Sequence, residues 1–309
     1  MDQQNSDINS EKLKAPGYYS TKPQFELIKR LKKILGYYDA IPTTIELVFQ
    51  DYIKECEQNN IKLEDALRES SKNFIVKNHN PSSFNDMRWH AINFYILNIF
   101  NVIDPYFRDL KSLLIDLNNI EEKDWKTKKD KNDLDAFNQV IENCKKADRN
   151  FLKSKPEYHL LNYYRLHRNA VVHRIFKKDD QFKISEKYFD DHLNNHISYF
   201  NEIYKLDAPN KSGEIKFDDF LMYTRAIKYF NNLVNDACFN LSEDNLVEKA
   251  LSNESLSKNF NGYKNATETK KIKLLKKYLK DFFLVDNSPE IQSFYQNYLH
   301  ESSRKKQKI

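Results

Sequence analysis

Residues 84–117 read FNDMRWHAINFYILNIFNVIDPYFRDLKSLLIDL, and the spacing of their apolar side chains decides the fold. Phe84, Trp89, Ile92, Tyr95, Ile96, Ile99, Phe100, Ile103, Phe107 and Leu110 recur at three- and four-residue steps, the period of a helix with a buried face. A helix of this length needs other helices around it, and the flanking sequence supplies them. Upstream, Phe25, Ile28, Leu31, Ile34 and Leu35 keep the same period with Lys29, Arg30, Lys32 and Lys33 between them. Pro42 predicts the start of a second helix through Ile45, Val48, Phe49, Tyr52 and Ile53. A third runs through Leu63, Leu67, Phe74 and Ile75.

Downstream, the charged run EEKDWKTKKDKND (121–133) predicts a break, followed by a helix from Leu134 to Phe151. Pro156 opens the next, EYHLLNYYRLHRNAVVHRIF (157–176). KKDDQFK (177–183) reads as a loop, and the flanking RIF (174–176) and FKI (182–184) predict a short hairpin. Helical patterns resume at Glu186–Leu206 and Phe217–Phe239. The divisions expected are a flexible leader (1–22), an N-terminal helical lobe (23–80), a helical core (81–240) and a C-terminal helical extension with a basic tail (241–309). The fold class is all-α, a helical bundle with extra N- and C-terminal helices.

Composition narrows the chemistry. The 309 residues include only 4 Gly and 8 Pro, too few turn formers for a many-stranded sandwich and too few for a Gly-rich phosphate loop. Cys56, Cys144 and Cys238 are widely spaced and odd in number, which argues against a disulfide scaffold or a paired zinc site and for a reducing cytoplasm. No apolar run is long enough for a membrane span, and the polar start MDQQNSDINSEK does not read as a signal peptide. The net charge of +5 leans mildly towards polyanions, but Lys is favoured over Arg throughout, so charge alone says little.

Chemistry concentrates at Arg165, Leu166, His167, Arg168, Asn169, Ala170, Val171, Val172, His173, Arg174, which holds three Arg and two His in ten residues. At about 100° per residue, Arg165, Asn169 and His173 share one stripe, while Leu160, Tyr164, Val171 and Ile175 take the opposite side. Arg168 lies at the edge of the apolar side, about 140° from His173, so the two side chains converge only where the helix ends or bends.

RNAVVH (168–173), in an aromatic-rich helix between two other long helices, resembles the R-x4–6-H signature of the HEPN superfamily of RNA-processing domains. The likeness spans roughly 84 to 240. Asn169 matches the polar residue that the family favours after the Arg. Ile175 stands where some HEPN toxins carry a Tyr, so the subgroup modified at that Tyr is not indicated. The resemblance implies a HEPN-like core and a homodimeric, metal-independent endoribonuclease with no cofactor. Arg168, Asn169 and His173 are then the catalytic set, with Arg165, Arg174, Lys177 and Lys178 along the RNA. It further implies a cytoplasmic toxin or antiviral-defence effector acting on tRNA, mRNA or rRNA, controlled by an antitoxin or sensor protein and not tied to a membrane. A different class remains open beside it, a non-catalytic protein that binds RNA or a nucleotide or serves as a dimeric interaction module.

Two weaker signals read more simply. His192 and His196, with Asp190 and Asp191 beside them, have the spacing of metal ligands on one helix face, but a third ligand is not evident, so the expectation is a solvated face with no metal. The segment KKIKLLKKYLKDFF (270–283) is a basic amphipathic helix whose Ile272, Leu275, Leu279 and Phe282 predict a packed stripe.

Overall fold

Helix α1 (Lys22–Gln58) continues through Pro42, where the sequence predicts a boundary. Proline withdraws one backbone donor and crowds the preceding turn, at a cost of about 3 kcal/mol. Around it, the Thr43 and Thr44 hydroxyls donate to the carbonyls of Asp39 and Ala40, at 2.6 and 2.9 Å. Packing holds both halves: Leu27, Leu31 and Leu35 enter the main core, and Glu46 pairs with Arg88. Tertiary contacts therefore outweigh the local penalty.

The computed structural model describes residues 22–72, 84–118, 120–129, 132–174, 180–238, 267–283 and 293–299, with 247, 249, 250 and 256 besides. After α1 come α2 (Leu63–Lys72) and the long α3 (Phe84–Asn118). Two-residue strands β1 (Lys128–Lys129) and β2 (Asn132–Asp133) pair antiparallel within the charged break, the only strand pair among the described residues. Next are α4 (Ala136–Asn143), α5 (Lys146–Lys153), α6 (Pro156–Arg174), α7 (Asp180–His192), α8 (Ile197–Tyr204), α9 (Phe217–Cys238) and α10 (Glu268–Phe283). The chain is all-α.

Several expectations need correction. The single helix expected over Leu134–Phe151 is two, because Cys144 and Lys145 are extended between α4 and α5. The predicted hairpin does not form: Phe182, Lys183 and Ile184 are helical in α7, and Ile175 and Phe176 lie outside the described residues. The continuous helix expected at Glu186–Leu206 is interrupted by a 3-10 turn at Asn194–His196.

One apolar cluster joins α1, α3, α4, α6 and α9 through Leu35, Ile99, Leu110, Ile141, Leu160 and Phe230, among others. Fully burying such a side chain contributes about 1.5–3 kcal/mol. The first half of α1, through Leu27, Leu31, Leu35 and Tyr38, thus shares the core of the central helices. A second cluster is separate, built from Leu275, Tyr278 and Leu279 of α10 with Val247, Ala250, Leu256 and the helical 293–299 segment. Among the described residues no helix is long and apolar enough to cross a membrane.

Helix α6 is enclosed along its first half. Leu160, Leu161, Asn162, Tyr163 and Tyr164 are all buried, because α3, α5, α7 and α9 each pack against it. The two-faced pattern read from sequence begins only at Arg165. The first turn of α6 is anchored by Glu157, fully buried, whose Oε1 accepts from Tyr199 at 2.8 Å and Tyr204 at 3.3 Å on α8.

Cys144, just past α4, is disulfide-bonded to Cys238 at the end of α9, with Cα atoms 5.9 Å apart and a sequence separation of 94. The wide spacing argued against a disulfide scaffold, and this single cross-link is not one, but distance along the chain does not measure distance in a bundle whose α4 and α9 ends meet. The bond removes the cysteine argument for a reducing compartment. A cross-link closing a loop of this length stabilises by about 2–4 kcal/mol, mostly by restricting the unfolded chain. Reduction should lower the urea midpoint correspondingly, and Cys238→Ser should have the lower midpoint with or without reductant. An unchanged wild-type midpoint after full reduction would contradict this.

Candidate functional site

Pro156 occupies the first position of α6, where its missing N–H costs nothing. From Arg165 onward the environment becomes mixed, and the described polar side chains of the run, Arg165, His167 and the Arg168–Asn169 pair, find three different settings. Arg165 turns towards Asp135, its Nε 3.0 Å from Oδ2, an ion pair in which the Nε–H is turned off the line of a hydrogen bond. Asp135 is already committed, since its Oδ1 caps α4 by accepting the Asn138 N–H at 2.8 Å. Arg165 therefore ties α6 to the start of α4.

His167, the residue the sequence reading left without a role, is fully buried. Its Nε2 lies 2.5 Å from Asn93 Oδ1 on α3, and Asn93 Nδ2 donates to the Trp89 carbonyl at 2.7 Å. An amide oxygen only accepts, so His167 carries its proton on Nε2 and its buried Nδ1 is left unpartnered. Burial drives its pKa down to about 4. It is a neutral clasp between α6 and α3.

Arg168 and Asn169 are half-buried and joined to each other, with Arg168 Nη1 donating to Asn169 Oδ1 at 3.0 Å. The guanidinium lies over the Phe100 ring of α3, 4.5 Å from its centre, a cation–π contact worth about 0.5–2 kcal/mol. Its buried Nε has no acceptor, and no carboxylate pairs with it among the described residues. Arg168 is thus a fixed, partly desolvated cation whose charge the described chain does not neutralise.

No protein-family model, curated protein or solved structure matches this chain. His173 is the penultimate residue of α6 as described, and its side chain, with that of Arg174, lies outside the described residues, as do Lys177 and Lys178. Of the expected set, the structure brings Arg168 and Asn169 together and sends Arg165 to Asp135.

The second histidine cluster differs from the sequence reading. His192 ends α7 and His196 sits in the following 3-10 turn, so they do not share one helix face. His192 instead stacks on His159 of α6, rings 4.9 Å apart and 7° from parallel, and His159 Nδ1 lies 3.2 Å from the Tyr188 hydroxyl. Burial, then the neighbouring His192 and His196, lower the pKa of His159. Asp190 pairs with Lys211 at 2.8 Å. Among the described residues no group of three His, Cys, Asp or Glu is placed to hold a metal ion.

On α10, Leu275 and Leu279 are buried and Ile272 half-buried, as the stripe predicts, while Lys270, Lys273, Lys277 and Lys280 are exposed. Phe282 lies outside the residues whose burial is described.

Proposed function

We propose that the chain is a HEPN-like, metal-independent endoribonuclease working through Arg168, Asn169 and His173. The observation that carries this reading is the Arg168 guanidinium, held over Phe100 and by Asn169 with its buried Nε lacking an acceptor. A phosphodiester supplies the anion and the acceptors such a group lacks. In the reaction, a base removes the 2′-OH proton, O2′ bonds to phosphorus, and the P–O5′ bond breaks as an acid protonates O5′. The products are a 2′,3′-cyclic phosphate and a 5′-OH. His173 serves in proton transfer, since an imidazole can both take and give a proton near neutrality, and Arg168 stabilises the extra charge on the phosphorane. One such His per chain means that the second proton-transfer group comes from a second copy with its α6 apposed. The matching biological role is a cytoplasmic toxin or defence effector on tRNA, mRNA or rRNA, held in check by an antitoxin or sensor.

The test is incubation of purified protein with total RNA in EDTA. Wild type is expected to cut, with cyclic phosphate ends by mass spectrometry, and His173→Ala and Arg168→Ala to lose about 10²–10⁴-fold of that activity while folding normally. Equal cleavage by the variants removes these residues from the mechanism. A second reading keeps the same cation but no cleavage: Arg168 stacks on Phe100 as a binding platform, and RNA is retained intact.

A further inference from the structure

Helix α1 carries an apolar stripe that the core does not use. Tyr37, Ile41, Ile45 and Val48 are 58%, 61%, 39% and 64% exposed. At about 100° per residue they fall within an arc of about 80°, beside the Leu27, Leu31 and Leu35 face that enters the core. Single exposed apolar residues are ordinary, but four on successive turns make a continuous patch. Phe94 of α3, 61% exposed, extends it. The Arg30–Asp109 and Glu46–Arg88 pairs set α3 antiparallel to α1, with Phe94 level with Ile41 and Ile45.

Charge along the same helix indicates what fits there. From Lys22 to Leu35 it has five basic residues and one acidic; from Gly36 to Gln58 it has five acidic and one basic. Arg30 and Glu55 lie on the arc of the stripe and Lys33 and Asp51 about 40° outside it along one border, the basic pair before the apolar residues and the acidic pair after them. Such a helix complements its own reverse. With a two-fold axis level with Pro42 and Thr43, Tyr37 of one copy faces Val48 of the other and Lys33 faces Asp51, while Arg30, paired with Asp109 of its own chain, lies level with Glu55. Parallel pairing would set like charges together.

We propose that the outer stripe of α1 is a self-association face that docks a second copy of this chain, antiparallel, through an isologous contact. It does not rest on the nuclease reading and is a different contact from the α6 apposition. The ion pairs above place α1 along one flank of α3, whereas the His167–Asn93 bond places α6 along the other. A single helix pairing lies at the small end of specific interfaces, so association is reversible and depends on concentration.

Sedimentation velocity on the full chain tests it. Wild type should gain mass between about 1 and about 100 µM. Ile41→Glu and Val48→Glu, both at exposed positions, should abolish that gain with unchanged circular dichroism and melting. Lys33→Glu should weaken association at least about tenfold, and Lys33→Glu combined with Asp51→Lys should restore it. No gain in wild type, or a gain indifferent to Ile41→Glu and Val48→Glu, overturns the proposal. Failure of the double reversal to rescue overturns the antiparallel second copy and assigns the stripe to a partner of other chemistry.

Discussion

Asp219→Ala should lower folding stability by about 3–5 kcal/mol, a large share of what a domain possesses. Asp219 is fully buried in the first turn of α9, and its two oxygens accept four hydrogen bonds. Tyr164 and the Asn210 N–H reach Oδ1, both at 2.8 Å; Asn210 Nδ2 and the Lys216 N–H reach Oδ2 at 2.9 and 2.8 Å. One side chain therefore anchors α6, the loop before α9 and the start of α9 itself. Truncation strands four donors, and a stranded buried donor costs about 1–3 kcal/mol, less in sum where water can enter. Asp219→Asn separates hydrogen bonding from packing. It keeps the shape, yet its amide nitrogen must face two donors in either orientation, so its cost should lie within about 1 kcal/mol of that for Ala. Near-wild-type stability of Asp219→Asn, measured by urea denaturation, would contradict the account. Tyr164→Phe removes a single donor and should cost about 1 kcal/mol.

The second large effect is acid destabilisation through His167. The unfolded chain takes up this proton near pH 6.5, the folded chain only near 4. Between those values the unfolded state holds more protons, so stability falls as pH falls, by about 1.4 kcal/mol per unit and about 3 kcal/mol in all. Protonation would place a hydrogen on Nδ1, which has no acceptor. His159, also lowered, acts in the same direction. Asp219 runs the opposite way: burial raises it to about 6, so its contribution grows as pH falls from 6 to its unfolded value. Comparing wild type with His167→Gln isolates the effect. The stability difference between them should shrink as pH drops from 7 to about 4, and a constant difference would show that His167 does not titrate in this window.

What was legible in sequence is what periodicity encodes. The apolar steps from Phe84 onward set the bounds of α3 closely, Pro156 marked the start of α6, and the α10 stripe was correct at Leu275 and Leu279. Pro42 misled because a local rule was overridden by tertiary contacts on both sides of it, core packing before it and the Glu46–Arg88 pair after it. The Cys144–Cys238 bond and the Asp219 network depend on which helix ends meet, which no spacing reveals. In the candidate site, Arg168 and Asn169 stood out by type and adjacency. His167 could not be told from its neighbours, since its burial follows from the position of Asn93, seventy-four residues earlier.

The enclosure of α6 has a mechanical consequence. The helix is built like a cantilever: from Leu160 to Tyr164 it is gripped on every side, and beyond that point only His167 and Ala170 are still buried among the residues up to Val172. A load applied at Arg168 acts about 6 Å past the clamped root, at a rise of about 1.5 Å per residue. It is resisted by the Arg168–Phe100 contact and by the His167 clasp, both to α3. Loosening that clasp would leave the root in place and soften the tip, whose remaining ties are the Arg165–Asp135 pair and the Arg168–Phe100 contact, so the stiffness of the site depends on a residue that takes no part in its chemistry.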